Sequence, residues 1–290
     1  MGVSVGISIY NAERYIELAI KSVLQQTYSN IELILIDDGS IDQSVEIARK
    51  YERLDSRVRV IADGQNKKLP YRLNQLIKES KYNLIARMDA DDIMHPDRLQ
   101  KQLEIIEKFS CDVVATSYYT IDAENKVKSF REINKETITI DDLSLGNYYI
   151  CHPSILAKKN WYLRNPYDSR YERAEDYELW VRAVLKKDFK IKIMNTPLMF
   201  YREDGSFSRA KQIKTYKTTY SIFWDNKKKM SFKNFFTAIS RNFFKKIILY
   251  FLLNTYTAPF FLKRREKFNL SKPQNFANAQ EIIDFIVNKK

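Results

Sequence analysis

Residues 3–40 read VSVGISIYNAERYIELAIKSVLQQTYSNIELILIDDGS, and this stretch predicts a strand, a helix and a second strand. The alternating apolar residues at 3–9 are typical of a strand, and those at 16–24 recur at helical spacing. Asn11 is placed to cap the start of this helix. The run IELILI then predicts the second strand, which ends in the turn signal DDGS at 37–40.

The same alternation continues along the first 120 residues. Residues 42–53 and 69–78 have the apolar spacing of helices, whereas residues 57–61, 82–88 and 113–117 have the composition of strands. Strands that alternate with helices are typical of a parallel sheet covered by helices. The sequence therefore predicts an α/β fold.

Acidic residues follow two of these strands at their carboxyl ends. Asp38 follows the second strand, and Asp89, Asp91 and Asp92 follow the fourth. Ligands of open α/β sheets bind in the crevice beyond the carboxyl ends of the strands, so we expect both groups to face one crevice. The sequence contains neither the glycine-rich fingerprint of dinucleotide dehydrogenases nor that of P-loop NTPases, which disfavours both classes.

The three carboxylates at 89, 91 and 92 repel one another unless a cation or protons intervene. Hard oxygen ligands suit Mg²⁺ or Mn²⁺, and an ion held by one or two carboxylates keeps positions open for diphosphate oxygens. The expected ligand is therefore a nucleotide diphosphate. The alternative is a solvated acidic turn that begins the next helix, but the position opposite a second acidic pair favours the metal.

Three residues near these acids are candidates for the nucleotide pocket. Asp38 is able to accept a hydrogen bond from a base N–H, and Ser8 and Tyr10 follow the first strand, where they would form the floor of the pocket. A lone tyrosine at such a position is more often a core residue than one that stacks on a base. The assignment of Tyr10 thus has two interpretations.

Composition limits the class of protein. The chain has 290 residues, of which 44% are hydrophobic, and this excludes a disordered or fibrous chain. Its length suits one large domain with an appendage or two small domains. The two cysteines, Cys111 and Cys151, cannot form a disulfide framework, and no secretory signal is recognisable at the N-terminus. We expect free thiols and a cytosolic compartment.

Three segments together resemble the family 2 glycosyltransferases with the GT-A fold, of the bacterial surface-polysaccharide type. They are residues 4–42, the run ARMDADDIMHPDRL at 86–99 and the run RAEDYELWVRA at 173–183. The resemblance covers residues 2–205. It implies an inverting transfer of a sugar from a nucleotide diphosphate donor, most often UDP-linked, to a hydroxyl of a lipid-linked or growing cell-surface glycan.

The resemblance also implies roles for individual residues. It places Asp38 on the uracil, Asp89 near the ribose and diphosphate and on the metal, and Asp91 on the metal. The pair Glu175-Asp176 matches the family's ED motif, whose second acid is the catalytic base, here Asp176. The remaining implied roles concern the acceptor side, with His152 and Glu175, and the donor-side loop, with Asn66. From the residues alone, the two acids at 175 and 176 equally suit the N-terminus of a helix.

Two positions depart from the family pattern. Lys68 stands where many members have glycine in the segment N-K-G-L, and Asp204 stands where they have histidine in Y-R-x-H-x-x-S. The first difference leaves the shape of the donor-side loop open. The second leaves open whether Asp204 assists metal or diphosphate binding.

The C-terminal region differs in charge and composition from the rest of the chain. Residues 211–290 hold 17 Lys and Arg against four acidic residues, whereas residues 1–210 hold 32 of each. The same region contains 17 of the 39 aromatic residues, and it includes an apolar run at 247–262 that is too short and too interrupted to span a membrane. An apolar stripe has helical spacing there: Phe232, Phe235, Phe236, Ile239 and Phe243.

Basic amphipathic helices of this kind bind anionic membrane surfaces. The alternative is a helical subdomain that packs on the body of the protein, and both can hold on opposite faces. No recognised nucleic-acid-binding motif occurs, so nucleic acid is not an expected partner.

The predicted organisation is a GT-A catalytic domain at 1–210, with a nucleotide-binding half at 1–100 and an acceptor-binding half at 101–210. A basic, aromatic-rich helical region for membrane association follows at 211–290. The expected location is the cytoplasmic face of the plasma membrane, as a peripheral protein. Two rival functions are a sugar nucleotidyltransferase, which lacks its basic glycine-rich loop here, and an inactive membrane-assembly scaffold, against which the intact acidic residues argue.

Overall fold

A computed structural model describes residues 1–147, 150–203, 209–252 and 274–289. Its centre is a single sheet of nine strands. The strands are β1 (Val3–Ile9), β2 (Ile31–Asp37), β3 (Val58–Ile61), β4 (Leu84–Asp89), β5 (Ile93–Met94), β6 (Val113–Ile121), β7 (Val127–Arg131), β8 (Leu156–Lys158) and β9 (Ile191–Arg202). The helices are α1 (Ile16–Leu24), α2 (Ser44–Leu54), α3 (Leu69–Glu79), α4 (Arg98–Phe109), α5 (Ile140–Leu145), α6 (Lys159–Arg164), α7 (Glu175–Leu185), α8 (Arg209–Asn226), α9 (Phe232–Leu252) and α10 (Gln274–Asn288).

The sheet confirms the predicted α/β class. Its order is β3-β2-β1-β4-β8-β6-β9-β5, with β7 paired to β6 outside this order. Strands β1 to β4 are parallel to one another, whereas β8 is antiparallel to both of its neighbours. Helices cover both faces of the sheet, and β1 and β2 are therefore apolar on both sides rather than on one.

The register of the parallel strands places the polar residues at one edge. Ser8 of β1 lies beside Asp89 of β4, and Ile9 lies beside Asp37 at the end of β2. The chain segments that follow β1, β2 and β4 consequently leave the sheet at the same level. This edge is where ligands of α/β sheets bind.

The predicted cap of α1 is wrong. This helix begins at Ile16, and Asn11 lies too far upstream to cap it. Asn11 has a φ of +48°, its backbone N–H donates to Ser40 Oγ at 3.0 Å, and its Oδ1 accepts from the Ile41 N–H at 3.0 Å. Asparagine tolerates this left-handed conformation better than most residues. It therefore joins the loop after β1 to the loop after β2.

The C-terminal helices pack on the body of the protein. Ile222 and Phe223 of α8 and Ala238 of α9 are fully buried in the same apolar cluster as the core of α7. On another face, α10 contributes Ala279 and Ile283 to a separate cluster with β6 and β9. Packing on the body, one of the two interpretations of this region, is thus confirmed for one face of these helices.

The other face of α9 is exposed. Within the predicted apolar stripe, Phe232, Phe236 and Phe243 are exposed by 83%, 61% and 57%, whereas Phe235 and Ile239 are half-buried. None of the helices described here combines the length and the apolarity needed to cross a bilayer. Part of the apolar run at 247–262, from residue 253 onward, lies outside the described residues, and membrane association stays a prediction. Both cysteines are buried free thiols, as expected.

Candidate active site

A cavity of about 600 Å³ lies beyond the carboxyl ends of β1, β2 and β4. The two acidic groups that follow β2 and β4 face this one cavity, as the sequence predicted. The predicted site residues that line it are Ser8, Tyr10, Asp38, Asn66, Asp89, Asp91 and Glu175. Two other predicted residues, Asp176 and His152, do not line it. Tyr10 is 55% exposed, so it is not the core residue that one interpretation suggested.

Asp38 is held in place by three donors from the start of α3. Its Oδ1 accepts hydrogen bonds from the backbone N–H groups of Lys67 at 2.7 Å and Lys68 at 3.1 Å, and from Arg72 Nε at 3.0 Å. Arg72 is fully buried, and Asp38 is 5% exposed. A buried charge pair with several hydrogen bonds has one well-defined geometry. The Asp38 carboxylate is therefore fixed at the wall of the cavity.

Lys68 retains a backbone conformation that favours glycine. Its φ of +71° and ψ of 157° are strained for a residue with a side chain, whereas glycine adopts them freely. Many members of the family that the sequence resembles have glycine at this position. The substitution has thus kept the shape of the loop at an energetic cost and has added an amine to the cavity wall.

We expect the substitution Lys68→Gly to raise the free energy of unfolding by about 1 kcal/mol. It removes backbone strain of about 1–3 kcal/mol, and the larger entropy of an unfolded glycine offsets part of this gain. The urea midpoint at constant m-value measures the change. The control is Lys67→Gly, because Lys67 does not have a positive φ. This variant is expected to lose stability, and an equal loss in both variants would contradict the strain.

Asp89 is paired with a buried arginine from its own strand. Arg87 is 4% exposed and donates to both carboxylate oxygens of Asp89, to Oδ2 at 3.1 Å and also to Oδ1. Burial opposes the charge of the guanidinium, but Asp89 and the other nearby acids outweigh it and hold the pKa of Arg87 above its ordinary value. The two parallel hydrogen bonds fix the plane of the Asp89 carboxylate.

Asp89, Asp91 and Asp92 form a compact acidic cluster. One carboxylate oxygen of each lies within 4.8 Å of the others. Burial and the charge of Asp89 raise the pKa of Asp91 to about 6, and burial with both neighbouring charges raises the pKa of Asp92 well above its ordinary value. Asp92 Oδ2 is buried without a hydrogen-bond partner among the described residues. The three carboxylates repel one another, and the Oδ2 of Asp92 is an acceptor without a donor among the described residues. Both features suit the binding of a divalent cation.

Arg202 at the end of β9 holds the turn that carries these acids. Its backbone N–H donates to Asp92 Oδ1 at 2.9 Å, and its Nε donates to the carbonyl oxygen of Asp91 at 2.7 Å. Its guanidinium lies 4.1 Å from the ring centre of Tyr15, which lines the cavity. The nearby Asp204 lies outside the described residues. The sequence predicts Asp92 in this acidic group but only Asp89 and Asp91 as metal ligands, and it does not identify Arg202 as the support of the turn.

Glu175 and Asp176 occupy the first turn of α7, where helix dipoles favour acids. Glu175 is 8% exposed, lines the cavity, and has an Oε2 without a partner in the part of the chain that the structure describes. Burial and the charge of Asp176 raise the pKa of Glu175 to about 7. Asp176 is half-buried, its Oδ1 accepts from the Tyr177 N–H at 2.7 Å, and burial raises its pKa.

His152 is buried and does not line the cavity. It is 7% exposed, its Nε2 is 2.7 Å from Tyr167 Oη, and its ring packs edge-on against Trp180. Burial lowers the pKa of His152 well below its ordinary value, so the ring is neutral. Its predicted place on the acceptor side stays a prediction.

Two basic residues that the sequence did not single out also line the cavity. Arg173 and Lys214 line the cavity together with Lys68. Lys214 comes from α8 and donates to Glu172, another lining residue. No local sequence pattern predicts these contacts. They form because α8 packs against α7. The described lining of the cavity thus combines several carboxylates with three cationic side chains.

The sequence profile of the family described as "Glycosyl transferase family 2" matches residues 4–164, which is more than half of the chain. The chain belongs to glycosyltransferase family 2. This glycosyltransferase is 32% identical over 188 residues to the O-antigen biosynthesis glycosyltransferase WbnJ of Escherichia coli, a match that covers 63% of this chain and 71% of the relative. As a member of the family, it transfers a sugar from a nucleotide sugar.

Two solved structures share the fold of this glycosyltransferase. A fragment of S. aureus TarS in complex with UDP-GlcNAc matches with a TM-score of 0.61 at 18% identity, over 77% of this chain and 66% of that one. The mannosyltransferase PcManGT from Pyrobaculum calidifontis, in complex with GDP-Man and Mn²⁺, matches with a TM-score of 0.59 at 12% identity, over 98% and 85%. The glycosyltransferase therefore has the mixed α/β GT-A fold with a C-terminal helix.

Proposed function

We propose that this glycosyltransferase moves a sugar from a UDP-linked donor to a hydroxyl of a lipid-linked or growing cell-surface glycan, with inversion at the anomeric carbon. The observation that carries the proposal is the single cavity at which Asp38, Asp89 and Asp91 meet. Its volume of about 600 Å³ suits a nucleotide sugar, because ligand pockets typically measure about 300–1,000 Å³. The UDP-GlcNAc of the TarS structure and the O-antigen role in the name of WbnJ support the donor and acceptor classes.

The nucleotide would lie along the residues that follow β1 and β2. Asp38, fixed by Arg72, would accept the hydrogen bond from the N–H of the uracil. Ser8 and the exposed ring of Tyr10 would form the floor, and Asn66 would border the donor from the loop before α3. Lys68, Arg173 and Lys214 offer positive charge at the walls, which suits a diphosphate.

The acidic cluster would hold a divalent cation, Mn²⁺ or Mg²⁺, through Asp89 and Asp91, with Asp92 as a further oxygen ligand. The buried Oδ2 of Asp92, which has no partner among the described residues, supports this assignment, as does the Mn²⁺ in the PcManGT structure. When bound, the cation would neutralise charge on the leaving diphosphate. The protein's own contribution is orientation: Arg87 fixes the Asp89 carboxylate, and Arg202 fixes the backbone of Asp91.

Asp176 is proposed as the general base. The acceptor hydroxyl would lose its proton to the carboxylate while its oxygen forms the bond to the anomeric carbon and the bond from that carbon to the diphosphate breaks. Burial raises the pKa of Asp176, and a base whose pKa approaches the working pH transfers protons more effectively. Glu175, which lines the cavity beside it, and the buried His152 are proposed for the acceptor side.

The two-part organisation is also a proposal. Residues 1–210 would form the catalytic domain, with the nucleotide half at 1–100 and the acceptor half at 101–210. Residues 211–290 would bind an anionic membrane and place the enzyme on the cytoplasmic face of the plasma membrane. The exposed aromatic residues of α9 and the excess of basic residues in this region support that role.

A panel of nucleotide sugars, tested with Mn²⁺, with Mg²⁺ and with a chelator, examines the proposal. We expect release of UDP from a UDP-linked donor that requires the metal and an acceptor preparation, and NMR of the product should show inversion. If no donor is turned over, the proposed reaction is wrong. Release of pyrophosphate from UTP and a sugar phosphate would instead assign the protein to the nucleotidyltransferases.

A further inference from the structure

A second cavity, of about 520 Å³, lies between α8 and α9. Tyr216 and Tyr220 of α8 and Phe243 of α9 give it aromatic walls, and Lys217 and Lys246 contribute one amine from each helix. We call this cavity the α8–α9 groove. It is separate from the catalytic cavity and shares no lining residue with it.

Three polar groups of the α8–α9 groove, the amines of Lys217 and Lys246 and the Oδ1 of Asn242, lack partners among the described residues. Lys217 and Lys246 are both exposed, and neither forms an ion pair with another described residue. Asn242 also lines the groove and is 3% exposed, and its Nδ2 donates to the Ala238 carbonyl at 3.0 Å. Its buried Oδ1 accepts no hydrogen bond from any described residue. A ligand with an anionic head, a hydroxyl and an apolar tail satisfies all of these groups.

The position of the groove relates it to the catalytic cavity. Lys214 lines the catalytic cavity, and Lys217 lines the α8–α9 groove. Residues three apart lie on the same side of a helix, and about 4.5 Å separates them along its axis. One face of α8 therefore passes directly from the catalytic cavity to the groove.

We propose that the α8–α9 groove binds the lipid phosphate of a lipid-linked acceptor, a single hydrocarbon chain with a phosphate head. This inference rests on the proposed function and names the part of the acceptor that the helical region recognises. Lys217 and Lys246 bind the phosphate, the aromatic rings hold the start of the chain, and Asn242 Oδ1 accepts from a hydroxyl of the attached sugar. The attached sugar then extends along α8 toward the catalytic cavity. The net charge of residues 211–290 complements such a ligand.

Farnesyl phosphate is a soluble probe of this chemistry. Trp224 stacks on Tyr220, with ring centres 5.9 Å apart, so its fluorescence reports on the groove in the full chain. We expect saturable binding of farnesyl phosphate, and binding at least tenfold weaker for farnesol, which lacks the charge, and for inorganic phosphate, which lacks the chain. Calorimetry with the same three probes provides a second readout. If farnesyl phosphate does not bind, the proposal is wrong. That outcome would leave the groove to another segment of this chain, to a second copy of the chain or to solvent.

Matched double variants separate a specific site from general attraction. Lys217→Ala with Lys246→Ala is expected to weaken farnesyl phosphate binding at least tenfold, and the two arginine replacements should largely restore it. The control, Lys228→Ala with Lys229→Ala, removes the same charge from exposed residues outside the groove and should change the affinity less than twofold. Equal losses in both would contradict the proposal. UDP binding, measured in the same variants without lipid, should not change, and its absence in the unmodified protein would refute the donor assignment instead.

Discussion

Replacing Asp91 with alanine is expected to lower kcat/KM for sugar transfer by about 10³-fold or more. The charge that grows on the leaving diphosphate must be dispersed, and electrostatic stabilisation of this kind is usually the largest contribution to catalysis. The acidic cluster loses one of its three carboxylates in this variant. We therefore expect the loss to be at least as large as the loss caused by removing the general base.

The measurement combines nucleotide release with direct Mn²⁺ titration of the protein by electron paramagnetic resonance. The matched control is Asp97→Ala, six residues farther along, because Asp97 pairs with Lys101 at the surface and does not line the cavity. This control should retain both activity and metal binding. If the Asp91 variant keeps its rate within tenfold, or if the control loses as much, Asp91 does not have the proposed role.

Stability should change in the opposite direction to activity. The pKa of Asp91 is raised to about 6 in the folded protein, so folding favours the protonated form of this carboxyl. A raised pKa contributes stability that is present below the unfolded-state pKa and is lost as the pH rises through about 6. Without metal, Asp91→Ala should therefore gain stability relative to the unmodified protein as the pH rises from 4 to 8. A folded, more stable and inactive variant separates catalysis from folding.

The sequence predicted the acidic cavity because its physical basis is local and periodic. Each strand carries its own apolar pattern, and the parallel arrangement places the ends of β2 and β4 at one edge, so Asp38 and Asp91 could be assigned to one crevice. The clusters of polar side chains that support these acids follow no such rule. Arg72 bonds to a residue 34 positions away, and Arg202 to one 111 positions away. Their partners are defined only once the sheet and α3 are packed.

The C-terminal region shows why one pattern supported two interpretations. An apolar stripe at helical spacing indicates that a helix has an apolar face, but it does not indicate whether protein or lipid covers that face. In α9 the buried face is centred on Ala238, one position away from the predicted stripe, and the bulky rings of Phe236 and Phe243 remain exposed. Asn11 is a similar case, since an asparagine before a helix suits a cap and a left-handed turn equally well.

The identity of the general base can be decided by two adjacent substitutions. We expect Asp176→Asn to lower kcat by about 10²–10⁴-fold, the range for loss of a positioned base, and Glu175→Gln to lower it less than tenfold. The pair is matched, because the two residues are neighbours in the first turn of α7 and each change replaces one carboxyl group with an amide. The measurement is the kcat of UDP release at saturating donor and acceptor. The structure makes the comparison necessary, because Glu175 lines the cavity and Asp176 does not.

The pH profile provides the second test, since a base acts only when it is deprotonated and its rate falls as the pH drops through its pKa. Burial raises the pKa of Asp176, so the acidic limb of kcat/KM should lie above the ordinary range of an aspartate, and Glu175→Gln should leave that limb in place. The pKa of Glu175 is about 7. An acidic limb near that value that disappears in Glu175→Gln, together with an active Asp176→Asn enzyme, would assign the role of base to Glu175. The buried Oε2 of Glu175 has no hydrogen-bond partner among the described residues.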